Sequence, residues 1–172
     1  MFNEINGIPA HPLLVHFAVV FVLLLVAGSV VYAVVPFLRR RIGWAVIALA
    51  IVAPACAWFA KEAGESLRAA RFAQPGLPAD IIADLDDHQR FGELTEYFTL
   101  GLGVATLLLV LVSVARGRVP VAEGGDGEPM PKRNTGALIA TVGLSAVVLV
   151  LAGLTAYYIY ETGDSGARMV WS

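Results

Sequence analysis

The sequence predicts an all-α integral membrane protein: a four-helix bundle of two helical hairpins related by a pseudo-twofold repeat. Three observations predict it. Charge is scarce, charge-free stretches of spanning length occur four times, and the ends of the second and fourth stretches resemble each other. Of 172 residues, 58% are hydrophobic and only 15% charged, whereas a soluble domain carries about a quarter charged residues. Mean hydropathy is +0.73. The net charge of −2 offers no basic patch for nucleic acid. The lone Cys56 has no partner for an intramolecular disulfide or a redox motif and reads as a packing residue.

The charge-free runs are 13–38, 42–60, 97–115 and 137–160. About 20 helical residues cross a hydrocarbon core roughly 30 Å thick. In lipid, a lone apolar segment satisfies its backbone only as a helix. Four such runs leave no polar face to cover a soluble core, so 1–172 reads as a single four-span membrane domain. The first run is longer than the apolar stretch of a cleavable signal and lacks a preceding basic segment, so it is expected to remain as helix one. Small residues in each span, including Gly28, Gly101, Gly103, Gly143 and Gly153, are expected at helix contacts. Pro54 is expected to bend the second span.

Lysine and arginine set the expected orientation. Arg39, Arg40 and Arg41 lie between spans one and two, and Arg116, Arg118, Lys132 and Arg133 lie between spans three and four. Basic residues stay cytoplasmic. Both termini and the 61–96 connection are therefore expected on the non-cytoplasmic side of the membrane. Trp58, Phe59, Tyr97, Phe98, Tyr157, Tyr158 and Tyr160 would form an outer aromatic belt, with Trp44 at the inner face. The Gly- and Pro-rich 117–135 segment reads as a flexible cytoplasmic loop, because no strand or P-loop lysine context surrounds its glycines. In 61–96, Pro75 and Pro78 break the chain between a helix extending to Arg71 and one starting near Asp80.

The repeat aligns Glu62-Ala63-Gly64-Glu65-Ser66 with Glu161-Thr162-Gly163-Asp164-Ser165. An axis along the membrane normal would place a shared site between the halves. Each glycine reads as a helix C-cap, or as part of a turn rimming an outer pocket.

Three histidines, His11, His16 and His88, all fall on the predicted outer side. An ionisable residue inside a span, as His16 is, usually faces the bundle interior or a ligand. His11 and His16 are about 140° apart around a helix and do not form an i, i+4 metal pair. His16 from one hairpin and His88 from the other could approach a common site from opposite sides, as axial ligands of a haem b do; His11 is the reserve ligand. Asp84, His88, Gly92 and Glu96 recur every four residues, and Asp84 and Glu96 are the candidates for an outward-facing divalent-metal site. The alternative readings are a non-catalytic scaffold or accessory subunit, and a metal or transport site. No enzyme chemistry is signalled: Ser66 and Ser165 follow acidic turns, but no histidine is fixed beside them by sequence.

The run Gly7-Ile8-Pro9-Ala10-His11-Pro12-Leu13-Leu14-Val15-His16-Phe17 resembles the opening signature of a bacterial membrane-protein family known as domain of unknown function 2231. The resemblance extends to His88-x-x-x-Gly92 and to Gly163-Asp164-Ser165-Gly166-Ala167-Arg168-Met169-Val170-Trp171. Where the family has Pro after the His-Phe pair, Ala18 stands here. The resemblance implies a four-helix bacterial membrane protein and carries over His11, His16 and His88 as candidate ligands. Some relatives carry an attached Rieske-type iron–sulfur domain, which implies electron transfer with a membrane redox partner. This chain lacks the cysteines for that domain.

Overall fold

A computed structural model describes residues 4–5, 8–72, 76–117 and 135–171. Four helices make up almost all of it: α1 (Ala10–Val34), α2 (Arg39–Arg71), α3 (Ala79–Gly117) and α4 (Thr135–Trp171). Ahead of α1, the two-residue strands β1 (Glu4–Ile5) and β2 (Ile8–Pro9) pair antiparallel. Of the 117–135 loop expectation, residues 118–134 lie outside the described residues.

The helices are neighbours in the order α1, α2, α3, α4 and back to α1, so α1 and α3 face each other across a diagonal. Antiparallel neighbours joined in sequence form the two expected hairpins. All four helices are long and apolar enough to cross a membrane. The exterior is itself apolar, with Trp44 76% and Ile139 67% exposed, a surface suited to lipid rather than water.

The first span is shorter than its charge-free run. Helix α1 ends at Val34, and a 3₁₀ turn at Pro36–Leu38 leads into α2. A residue before proline is pushed out of the helical region, and Val35 has φ −120° and ψ 80°. Pro36 also lacks the N–H that would bond the Tyr32 carbonyl. Arg39 replaces it: Nε donates to Tyr32 O at 2.8 Å and Nη2 to Ala33 O at 2.9 Å. The guanidinium carbon lies 5.5 Å from the Tyr32 ring centroid.

Pro54 has a similar consequence inside α2, which runs on through it to Arg71. Without an N–H at Pro54, the Ala50 carbonyl lacks its i+4 donor. Helix α3 packs against this point through Gly103, where a Cβ would lie 2.7 Å from Ala50 O and 3.3 Å from Pro54 Cγ. Only glycine allows that approach, which brings a backbone C–H toward the carbonyl as a weak donor. Across the diagonal, Thr106 Oγ1 donates to Ser29 Oγ at 2.9 Å, and both residues are 0% exposed. Such a bond replaces water that lipid cannot supply.

Two expectations about glycine are corrected. Gly143 and Gly153 are exposed, and a Cβ at either would meet nothing within 4 Å, so they do not mediate packing in this chain. Gly64 and Gly163 do not cap helices. Helices α2 and α4 continue past them to Arg71 and Trp171, and among the described glycines only Gly76, in the turn after α2, has positive φ (99°). The sequence-level break between Arg71 and Asp80 matches the end of α2 and the Ala79 start of α3.

The bundle end that carries Ala10, Arg71, Ala79 and Trp171 positions the site. Helix α2 extends roughly 16 Å beyond Ala60, and α3 and α4 extend with it, whereas α1 only begins there. One shaft of the four is therefore absent from the last turns, and a cavity takes its place.

Candidate functional site: two imidazoles in an apolar cavity

His11 lies in the first turn of α1, and its Nδ1 is 2.9 Å from Ala60 O on α2. A carbonyl only accepts, so Nδ1 carries the hydrogen and donates. The neutral ring then holds its lone pair on Nε2. The ring lies against Gly64, where a Cβ would come within 2.9 Å of Cε1.

The second hairpin repeats this arrangement. His88 on α3 has Nδ1 3.0 Å from Ser165 Oγ on α4. Ser165 Oγ donates its only hydrogen to Thr162 O at 3.1 Å, so it must accept from His88 Nδ1–H. A Cβ on Gly166 would lie 3.0 Å from His88 Cε1. In each half a histidine is tied to a carbonyl, directly at Ala60 and through Ser165 Oγ at Thr162, and a glycine four residues later gives the ring room, Gly64 and then Gly166. The structural repeat is thus offset by three residues from the sequence match of Gly64 with Gly163.

The two rings meet across the diagonal, with centroids 6.2 Å apart and planes at 89°. His16 borders the same cavity, and its Nδ1 bonds the Pro12 carbonyl one turn back on α1. All three imidazoles therefore hold Nδ1–H in a hydrogen bond and leave Nε2 available. The same polarity orients metal-ligating histidines.

The cavity has a volume of about 780 Å³. Its walls are mainly apolar, with Val15, Val19, Val22, Ala57, Leu85 and Ile159 among them. Its charged lining comes from α2: Lys61, Glu65 and Arg68. Lys61 Nζ lies 3.4 Å from Glu96 and 3.5 Å from Glu65, and Arg68 pairs with Asp86 at 2.5 Å and bonds Gln89. These pairs close the α2–α3 side. They are partly exposed, so each adds little stability. Beneath the cavity, Thr95 Oγ1 and Thr162 Oγ1 lie 2.9 Å apart.

The acidic candidates are not gathered. Asp84 is exposed, and Glu96 is engaged by Lys61. Among the described residues no group of three His, Cys, Asp or Glu side chains is placed to hold a metal ion. Ser165 does acquire a histidine neighbour, His88, and its hydroxyl also donates to Thr162 O. Of the aromatic residues near this end, Phe98 stacks on Tyr158 at 5.1 Å, and Trp58 meets Phe59 edge-on at 4.8 Å.

Sequence reasoning did not reach Gly166, the Ala60 carbonyl or the orienting role of Ser165. The only available signal was a small residue followed four positions later by glycine, which is common in apolar helices.

Gly64→Ala and Gly166→Ala test the ring placement. Each added methyl meets the movable edge of an imidazole rather than backbone. Helical content by circular dichroism should be unchanged, while ring-proton NMR shifts of His11 or His88 should move.

A lipid-compatible four-helix bundle with paired imidazoles at one end defines a multi-pass membrane protein. The chain belongs to the family described as predicted membrane protein (DUF2231), whose model matches residues 7–172. No curated protein and no solved structure matches it.

Proposed function

We propose that the cavity holds a b-type haem between His11 and His88 and that the protein takes part in membrane electron transfer. The observation that carries this reading is the imidazole pair in an apolar cavity. The ring centroids stand 6.2 Å apart with planes at 89°, close enough that both rings would serve as ligands of one metal ion. A macrocycle supplies the remaining four ligands itself, so two histidines suffice where a bare divalent ion would need more protein donors. Haem would supply one-electron chemistry.

The chain's own residues would do the rest. Ala60 O and Ser165 Oγ fix the tautomers and raise ligand basicity. The apolar walls exclude water. Lys61 and Arg68 provide cations for carboxylate substituents. This pairing uses His11, the reserve of the sequence reading, with His88, and leaves His16 at the rim.

Orientation belongs to the same proposal. The histidine end faces the non-cytoplasmic side of a bacterial cytoplasmic membrane, because Arg39, Arg40, Arg41 and Arg116 gather at the opposite end. The redox partner would then be another membrane component.

Hemin titration of the detergent-purified protein tests the reading. One hemin per chain should bind, with a six-coordinate spectrum in both oxidised and reduced states. Protein that takes up neither hemin nor metal would indicate a scaffold or accessory subunit. Stoichiometric binding of a divalent ion without hemin would point to the metal or transport reading.

A further inference from the structure

The exposed lining residues of the cavity are Pro12 and His16 of α1 with Gly163 and Ala167 of α4, which flank the side between those helices, and Glu65, Phe72 and Trp171 toward the bundle end. The first four mark an opening between α1 and α4. His16 lies within the first charge-free run, in a row with Leu13, Phe17 and Val20, which are 46%, 52% and 55% exposed. That row faces the apolar exterior. The opening on that side adjoins the apolar surface that His16 shares with this row.

His16 is an unusual residue for such a place. Its Nδ1–H is committed to Pro12 O, which leaves the Nε2 lone pair at the opening. An acceptor exposed to lipid lacks the hydrogen bond that water would give it, and that loss is costly. A molecule entering from the lipid would satisfy it by donating a hydroxyl. Every charged residue of the lining stands on α2, so the opening offers no cation to a phospholipid phosphate. The ligand it suits is uncharged, apolar in body and hydroxylated at one end.

We propose that this opening is a binding site for a lipid-soluble hydroquinone, with His16 Nε2 accepting a hydrogen bond from a ring hydroxyl. The site prefers the reduced ligand, because the oxidised quinone carries only acceptors and cannot donate to a neutral imidazole. The choice of a hydroquinone among lipid-soluble phenols rests on the redox reading above; the hydrogen bond and the opening do not.

The test is anaerobic calorimetric titration of the full chain in detergent with a decyl-substituted benzohydroquinone, its dimethyl ether and the corresponding benzoquinone. One well-made hydrogen bond is worth about tenfold in affinity. The hydroquinone should bind about tenfold tighter than the ether or the quinone. His16→Phe, which removes the acceptor, should erase that difference. Gly163→Leu projects into open space, so it should fold normally and narrow the opening, weakening hydroquinone binding with His16 intact.

Equal affinity for hydroquinone and ether overturns the proposal, as does an unchanged preference in His16→Phe. So does unchanged hydroquinone binding in Gly163→Leu. Hemin uptake is scored separately on the same preparations. Uptake without hydroquinone discrimination defeats only this site, and discrimination without uptake defeats only the haem reading.

Discussion

Replacing His11 or His88 by alanine should abolish six-coordinate hemin binding, whereas His16→Ala should retain it. The effect should be large, because losing an outer partner of a metal ligand already costs about 10–100-fold in affinity, and here the proposed ligand itself is removed. Neither substitution should unfold the bundle. Without His11, Ala60 O remains a carbonyl inside a continuous helix. Without His88, Ser165 Oγ still donates to Thr162 O. No buried donor is left unsatisfied in either case, so a spectral loss can be assigned to the imidazole. The measurement is a hemin titration followed in the Soret and visible bands, with gel filtration to confirm the folded state. If both alanine variants bind hemin like the wild type while His16→Ala does not, the pairing of His11 with His88 is wrong.

Gly103→Ala should produce the largest loss of stability among the glycine substitutions. The new methyl would sit 2.7 Å from Ala50 O and 3.3 Å from the Pro54 ring. Neither neighbour can turn aside, since one is backbone and the other a closed ring. Overpacking of this kind costs about 1–3 kcal/mol. The thermal midpoint in detergent should fall, and the α2–α3 contact should loosen first. Gly143→Ala and Gly153→Ala provide the comparison. Their methyls meet nothing within 4 Å, so the midpoint should stay unchanged or rise, alanine being the better helix former by about 1 kcal/mol. Equal losses at all three positions would show that the Ala50–Pro54 contact is not special.

The helices were legible because each rests on a local rule. Charge-free length marks a span, and proline marks a break, as Pro75 and Pro78 do between Arg71 and Ala79. The first span was read four residues too long, since apolar content continues through the turn at Pro36–Leu38 while the backbone does not. The site was only partly legible. Three histidines at one end could be counted, but which two meet depends on the diagonal between α1 and α3, and no local pattern encodes it. The repeat was detected in the wrong register for a related reason. Sequence identity favoured Gly64 with Gly163, whereas the structural equivalence is set by where an imidazole lands, and that selects Gly166. Gly64 and Gly163 were read as helix caps because a cap is the commonest use of glycine at the end of an apolar run. The backbone stays helical at both, and at Gly64 the absence of a side chain makes room for the His11 ring.

Each hairpin contributes one imidazole, one carbonyl four residues ahead of a glycine, and half of the cavity wall. The halves are equivalent in plan and unequal in detail: a bare carbonyl supports one ring and Ser165 the other.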